Sequence, residues 1–234
     1  RLNNIDTSGP AISEVNINDI ERVEITKGSG SVIYGDSAMA GAVHLYTKEN
    51  FETKISTTSG NYGLVQTSVS VGINEEKINV NLSMDSLKHG GYHVAGPDGN
   101  KDKGEQTKST MGAAYTTDNG TVISLDISRD NSDTRYPSYL TDEQFDSDPY
   151  QNGTGKNYTF REAKSSSTNL KIKRKWGNNF EFTTNRSVID RENQNTYWYS
   201  SGTVDNYKYD YNSNDYLLTY TNGNIKIDNG INMF

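Results

Sequence analysis

From about Phe51 onward, apolar and polar residues alternate along the chain in short runs. Residues Leu64–Ile73 and Lys77–Leu87 carry an aliphatic side chain at nearly every second position, with polar residues between them. A period of two predicts β-strands with one apolar and one polar face. No segment carries the pattern of a substantial helix, so we predict an all-β architecture.

Short and long connections separate these runs in turn. Asp118–Gly120 is a strong hairpin turn, because Asn and Gly adopt positive φ at little cost. Similar short turns are predicted near residues 75, 178 and 223, and long polar connections at about 88–106, 130–164 and 190–213. This alternation is typical of a transmembrane antiparallel β-barrel. A soluble β-sandwich shows the same face pattern and stays open as an alternative.

Composition narrows the possible functions. The net charge of −7 argues against nucleic-acid binding, which requires a basic face. The chain has no cysteine, which excludes disulfides, thiol nucleophiles and zinc–thiolate sites. No run of apolar residues is long enough for a membrane-spanning helix. No grouping of side chains resembles an active site, so we expect no enzyme activity and no cofactor.

The segment Ile20–Lys48 resembles the closing part of the plug domain of TonB-dependent outer-membrane receptors. The family pattern begins I-E-R-I-E-V-x-R-G-P, continues through small residues to L-Y-G, and ends with G-G-V-I-N-I and I-T-K. The residues that we assign to this plug signature are Glu21, Arg22, Glu24, Lys27, Gly28, Tyr34, Gly35, Gly41, Thr47 and Lys48.

Three departures from the family pattern are visible. The usual Arg-Gly-Pro is Lys27-Gly28-Ser29, the second glycine of the Gly-Gly pair is Ala42, and Asn-Ile is His44-Leu45. Lys27 keeps the positive charge but loses the planar guanidinium that binds carboxylates bidentately. The resemblance implies that the charged residues of the motif tie the plug to the barrel wall through salt bridges.

The resemblance also implies an architecture. Residues 1–48 correspond to the C-terminal part of the plug, a small α+β remnant. Residues 49–234 correspond to the N-terminal part of the barrel, with about eight of the roughly 22 strands of the family fold. The chain is then a fragment of a plugged transmembrane barrel, and we expect the TonB-binding box upstream of Arg1.

The implied function is import of a scarce ligand across the outer membrane of a Gram-negative cell. The expected partners are TonB, outer-membrane lipid and a small metal chelate, with a ferric siderophore or another iron complex as the ligand. The segment Pro137–Pro149 supports iron, since it resembles the P-x-x-L-T-x-x-Q-x-x-x-D-P stretch of some iron-complex receptors. The ligand-binding candidates in the outer loops are Tyr136, Tyr139, Tyr197 and Trp198.

Several alternatives stay open. Asp142, Asp146 and Asp148 are calcium candidates, and Asp98, Asn100 and Asp102 have part of the spacing of a calcium loop. The pair His89 and His93 allows a haem receptor, and a cobalamin receptor is a further possibility. A soluble all-β module that binds a carbohydrate or another ligand through exposed Tyr and Trp is the alternative from a different class.

Overall fold

The computed structural model describes residues 19–28, 41–48, 52–93, 101–137, 139–151, 158–197 and 203–233, and these contain eleven strands and one short α-helix. The strands are β1 (Ile20–Lys27), β2 (Gly41–Thr47), β3 (Lys54–Ser59), β4 (Val65–Asn74), β5 (Ile78–His89), β6 (Gly104–Thr116), β7 (Val122–Pro137), β8 (Tyr158–Trp176), β9 (Phe180–Tyr197), β10 (Thr203–Asn222) and β11 (Ile225–Met233). The helix α1 is Asp142–Ser147, and a 3₁₀ turn covers Asn61–Gly63. No described helix is long and apolar enough to cross a membrane.

The strands form two antiparallel sheets. β1 and β2 pair as an isolated hairpin, and β3 to β11 form a nine-stranded sheet in which each strand pairs with its neighbours in sequence. The all-β prediction is confirmed. The sheet contains nine strands where about eight were expected from typical strand and connection lengths. Its first and last strands, β3 and β11, do not pair with each other.

All the predicted short turns lie where two strands meet at one end of this sheet. Gly120, Gly177 and Gly223 have φ values of 75°, 57° and 58°, which the turn geometry requires and which glycine adopts without a Cβ penalty. The long connections lie at the opposite end. We call these the short-turn end and the long-loop end.

The long connections are shorter than the sequence suggested. β7 continues to Pro137 and β8 begins at Tyr158, so much of the predicted connection 130–164 is strand. The predicted connection 190–213 is almost entirely strand, because only residues 198–202 separate β9 from β10. The outer halves of these strands carry polar residues on both faces. Their main chains pair as regularly as those of the apolar halves. The change from alternating to mostly polar residues in the sequence therefore does not show where these strands end.

The two faces of the nine-stranded sheet differ sharply. On the apolar face, one row aligns Val71, Leu82, Met111 and Ile127, and a neighbouring row aligns Leu125 with Leu170. Leu82 is 54% exposed and Met111 is 48% exposed. Among the described residues, Ile189 is the one apolar residue classed as buried.

The polar face is the buried one. All the buried polar residues of the nine-stranded sheet project from the side opposite Leu82 and Leu125. They are Ser83, Asp85, Lys108, Asp130, Ser187, Arg191, Asn193, Ser213 and Thr219. A soluble sandwich buries its apolar face against a second sheet, and this sheet does the reverse. The distribution is that of a barrel wall with lipid outside and a polar lumen inside.

The strand register arranges the polar face in rows that cross the sheet. One row aligns Ser70, Ser83, Thr110, Ser128 and Ser167, and we call it the hydroxyl row. The Ser128 and Ser167 hydroxyl oxygens are 2.8 Å apart. The hydroxyl row supplies hydrogen-bond donors and acceptors without formal charge.

The next row toward the long-loop end carries charge. It aligns Asp85, Lys108, Asp130, Ser165 and Arg191, and we call it the charged row. The Lys108 ammonium lies 3.9 Å from a carboxylate oxygen of Asp130. Negative and positive residues are neighbours along the row, which offsets part of the cost of their burial.

A charged substitution on the apolar face tests its assignment to lipid. Leu125 lies between Ala113 and Leu170 in the middle of the apolar band. We expect Leu125→Arg to lower the stability of the full-length protein in lipid vesicles by about 2–4 kcal/mol, because the guanidinium would lie in the hydrocarbon region. Urea unfolding in vesicles measures the change.

Ser132→Arg is the matched control, because Ser132 lies in the same strand on the polar face beside Gln106 and Ala163. It should cost far less, since the new charge would enter a wet lumen. Equal losses in the two variants would contradict the assignment of the two faces.

Candidate functional site

The β1–β2 hairpin contacts the polar face of the large sheet through Asp19. The Ser83 hydroxyl, which is 2% exposed, donates a hydrogen bond to the Asp19 carboxylate with an oxygen–oxygen distance of 2.7 Å. Thr110, the neighbour of Ser83 in the hydroxyl row, is a second side-chain partner of Asp19. The Lys48 backbone amide donates to the Asp19 carbonyl at 2.9 Å, so both ends of the hairpin lie at this contact. We call it the hairpin seat.

Burial makes Asp19 an unusual anchor. Desolvation raises the pKa of the Asp19 carboxyl, and the nearby negative charge of Asp85 adds to this effect. The hydrogen bonds from Ser83 and Thr110 and the positive charge of Lys48 oppose the shift without cancelling it. A cavity of about 50 Å³ beside the seat is lined in part by Lys48, Ser56 and Ser68. The Ser83 and Thr110 hydroxyls therefore hydrogen-bond to the Asp19 carboxylate, with the positive charge of Lys48 nearby.

Two charged residues of the plug signature have described partners within the hairpin. Arg22 and Glu24 pair with each other at 3.1 Å, and the Tyr46 hydroxyl donates to Glu24 at 2.9 Å. The Arg22 guanidinium also lies 4.1 Å from the centroid of the Tyr46 ring. Both charges are thus satisfied within the hairpin and stay exposed, because the strand pairing places Arg22 directly opposite Tyr46. The described hydrogen bond to the wall comes from Asp19, one residue before the motif.

The other signature residues are structural parts of the hairpin. Gly41 has φ +152°, and a Cβ at this position would lie 2.5 Å from the Thr26 carbonyl oxygen, so a side chain would force β1 and β2 apart. Glu21, Lys27 and Gly28 are exposed, Thr47 is the last residue of the second strand, and Lys48 follows it. Tyr34 and Gly35 lie outside the described residues.

The carboxylates of the charged row accept hydrogen bonds from two glutamines one row further out and from a serine directly opposite Asp85. Gln66 donates to Asp85 at 3.1 Å, and the Ser68 hydroxyl also donates to that carboxylate. Gln106 donates to Asp130 at 2.9 Å. The row continues from Arg191 to Tyr209, so an arginine and a tyrosine align on the polar face of β9 and β10.

A tyrosine ladder on β10 escaped the sequence analysis. Tyr207, Tyr209 and Tyr211 project from the polar face opposite Asn193, Arg191 and Ile189. Aromatic residues at every second position are a strand signal, and it was available in the sequence. It was missed because the surrounding polar residues led us to place this segment in a long connection.

Aromatic residues from three connections meet at the long-loop end. The Tyr62 ring lies 5.0 Å from Tyr92, and His93 lies 5.4 Å from Tyr150 with nearly parallel ring planes. Asp102 accepts hydrogen bonds from the backbone amides of Tyr92 and His93 at 2.7 and 2.8 Å. We call Tyr62, Tyr92, His93 and Tyr150 the aromatic cluster.

Helix α1 lies in the connection between β7 and β8. Thr141 caps it, and the Thr141 backbone amide donates a hydrogen bond to the Gln144 side-chain oxygen at 3.0 Å. This is a capping box, and its Thr-x-x-Gln pattern was visible in the sequence. A cavity of about 380 Å³ lies between α1 and His93. We call it the loop pocket.

The ligand-binding candidates occupy different places. Tyr136 lies on the polar face of β7, and its backbone aligns through Thr159 with that of Tyr197. Tyr139 is 86% exposed beside the loop pocket. Trp198 lies outside the described residues. Each of these assignments stays a prediction.

The metal candidates receive no geometric support. In the part of the chain that the structure describes, no group of three or more His, Asp or Glu side chains is placed to hold a metal ion. Asp142 and Asp146 lie in α1, and Asp148 follows it. Asp98 and Asn100 lie outside the described residues, and Asp102 instead binds the backbone of the same connection. The calcium hypothesis stays a sequence prediction.

Known proteins match both parts of the chain. Residues 1–42 match the family described as TonB-dependent Receptor Plug Domain. No curated protein matches the sequence. The fold resembles that of the ferric-catecholate import receptor Fiu from E. coli K12, with a TM-score of 0.65 and 16% identity over 92% of this chain and 39% of that one.

Two further solved structures share the fold. The siderophore receptor PiuA from Acinetobacter baumannii has a TM-score of 0.67 and 10% identity, over 92% of this chain and 35% of that one. The copper transporter OprC has a TM-score of 0.51 and 11% identity, over 96% and 44%. The chain therefore spans less than half the length of each of these proteins.

Replacing Asp19 tests the hairpin seat. Because the pKa of Asp19 is raised in the seated state, that state binds the proton more tightly than the released state. Seating is then strongest at low pH and weakens as pH rises through the raised pKa. Asp19→Asn keeps an acceptor without the charge, and we expect it to slow hydrogen exchange of residues 20–28 in the full-length receptor at neutral pH.

Asp19→Ala should have the opposite effect. It leaves the Ser83 hydroxyl without an acceptor and costs about 1 kcal/mol or more, so exchange should accelerate roughly fivefold. Asp126→Asn, elsewhere on the polar face, is the matched control. Faster exchange in Asp19→Asn as well as in Asp19→Ala would show that the negative charge itself stabilises the seat.

Proposed function

We propose that this chain, which belongs to a TonB-dependent receptor, forms part of a machine that imports a scarce metal complex across an outer membrane. The observation that carries the proposal is the hairpin seat. A hairpin whose first strand lies within the segment that matches the plug family is hydrogen-bonded to the polar face of a sheet whose apolar face is exposed. A plug held inside a barrel wall has the geometry of a closed transport channel.

The strength of the contact suits a part that has to move. Asp19 accepts hydrogen bonds from the Ser83 and Thr110 hydroxyls, and each such hydrogen bond contributes about 1–3 kcal/mol. Arg22 and Glu24 neutralise each other within the hairpin, so their separation from the wall breaks no described ion pair. A pulling force from TonB could then release the hairpin as one unit. The rearranged plug would open a path along the polar face.

An iron complex is the ligand that we favour. The names of two structural neighbours refer to a ferric catecholate and to a siderophore, and the name of a third refers to copper. The first two have the higher TM-scores, and the Pro137–Pro149 segment independently resembles iron-complex receptors. Copper is the second candidate, favoured only by the weaker likeness to OprC.

A soluble binding module is not compatible with the way apolar and charged residues are distributed between the two faces of the sheet. A soluble carbohydrate-binding module would leave Leu82, Met111 and Leu125 in water while burying Lys108 and Arg191. Exposed apolar surface on that scale marks contact with lipid or another protein. We propose no catalytic activity, consistent with a family of receptors.

The membrane orientation follows from the two ends of the sheet. We propose that the short-turn end faces the periplasm and the long-loop end faces the outside, as in other outer-membrane barrels. The connection from the plug hairpin to β3 then lies on the periplasmic side, where TonB acts.

Single cysteines test this orientation. The chain has no cysteine, so Tyr139→Cys and Asn119→Cys in a cysteine-free full-length receptor report one position each. We expect an impermeant thiol reagent to label intact cells at 139, which is 86% exposed, and to label 119 only after lysis. The reverse pattern would invert the proposed orientation.

Uptake of a radiolabelled iron chelate tests the transport function. Cells that carry the full-length receptor should accumulate the label, and deletion of TonB should reduce accumulation to the level of cells without the receptor. Equal uptake with and without TonB would contradict energy-coupled transport. Uptake of copper but not iron would keep the function and replace the ligand.

A further inference from the structure

We propose that the loop pocket between His93 and α1 binds an amine-bearing arm of the ligand and makes the receptor prefer cationic over anionic metal chelates. This inference rests on the proposed transport function and names the charge class of the substrate. It concerns a site at the long-loop end, well separated along the strands from the hairpin seat.

One wall of the pocket is organised before any ligand arrives. The Gly90 amide donates to the Tyr62 carbonyl at 2.8 Å, which links two connections. Tyr62 has φ 59°, an uncommon conformation for a residue with a side chain, and its ring contacts Tyr92. The Tyr92 ring in turn lies 4.3 Å from His93. A strained residue held by its neighbours is typical of a functional loop.

Asp102 holds the same wall of the pocket in place through hydrogen bonds. Its carboxylate accepts the amides of Tyr92 and His93, and the His93 Nδ1 atom lies 3.1 Å away. Partial burial alone would raise the pKa of Asp102, but these hydrogen bonds hold it below its usual range. The carboxylate therefore stays ionised and continues to orient His93, which lines the pocket.

The second wall comes from α1 and its flanks. Leu140 and Phe145 supply an apolar surface, together with Pro137 and Pro149. Phe145 is 60% exposed although it lies in a short capped helix in a polar connection. The capping box holds the helix in place, so this exposed aromatic surface is presented in a defined position.

Two side chains that line the pocket offer hydrogen-bond acceptors. Gln151 uses its amide nitrogen to donate to the Gln144 carbonyl at 2.7 Å and to Ser147, which leaves its amide oxygen to accept. Asp142 adds a carboxylate. Among the described lining residues there is no lysine or arginine, and no described lysine or arginine pairs with Asp142. An anionic group would meet repulsion, whereas an ammonium would find acceptors.

The size of the pocket limits what it can hold. About 380 Å³ lies near the lower end of the ~300–1,000 Å³ of small-molecule sites. This volume holds one arm of a chelate rather than the whole complex. An alkyl or aryl arm that ends in an ammonium matches both the apolar walls and the acceptors. The metal centre itself would remain outside the pocket.

Binding of three defined probes to the purified full-length receptor tests the inference. The probes are a ferric trihydroxamate with a free terminal amine, the same complex after N-acetylation, and a ferric tricatecholate. We expect the amine to bind about two- to fivefold more tightly than its acetylated form, as for a partly exposed ion pair, and the tricatecholate to bind most weakly.

Two variants assign the preference to the pocket. Asp142→Asn should remove the advantage of the free amine and leave binding of the acetylated probe unchanged. Glu143→Gln is the matched control, because Glu143 shares the first turn of α1 but does not line the pocket. It should preserve the advantage. Phe145→Ala should weaken both hydroxamate probes alike.

Other outcomes would overturn the inference. Equal affinity for the amine and its acetylated form would do so, as would an advantage that survives Asp142→Asn. Tightest binding of the tricatecholate would reverse the assigned charge class. TonB-dependent uptake of any chelate in the same cells would leave the transport function standing while the pocket assignment fails.

Discussion

Backbone pairing is the constraint on which the rest of this structure depends. Each strand of the large sheet pairs with its neighbours in sequence, and most of these pairings run over nearly the whole length of the strands. In the hydrocarbon core of a membrane no water is present to hydrogen-bond a backbone amide or carbonyl. Strands can therefore span the membrane only if their backbone groups pair without a break. Because pairing fixes register, it also fixes which side chains share a row. The hydroxyl row, the charged row and the hairpin seat all follow from that single requirement.

Much of this sheet was predictable from local patterns. The Asn-Gly and Gly-Asn turns were placed correctly because positive φ is a property of single residues, as at Gly120 and Gly223. The alternation in β4 and β5 identified their faces for the same local reason. The pattern failed for the outer parts of β8, β9 and β10, where neither face requires apolar residues. There the strand is maintained by pairing with its neighbours, a property that no short window of sequence contains.

The functional contacts were less accessible to sequence reasoning. Glu24 and Arg22 were identified as important, but their pairing within the hairpin depends on Tyr46, which lies opposite only after β1 and β2 align. Asp19 lies just outside the motif, and its partner Ser83 is 64 residues away. The loop pocket forms where the connection that contains His93 meets the connection that contains α1. In each case the contact is between residues that are brought together only by strand register or by tertiary packing.

The arrangement of the charged row has a consequence for anything that passes along the wall. Its positive and negative residues are neighbours around the circumference, at one level, and are not stacked along the direction of travel. Fields from adjacent opposite charges cancel within about a Debye length of 8–10 Å. A passing molecule then encounters neither a deep electrostatic well nor a high barrier at this level. In the proposed import function, such a smooth potential would not separate solutes by the sign of their charge, and the selection of cargo would fall to the long-loop end.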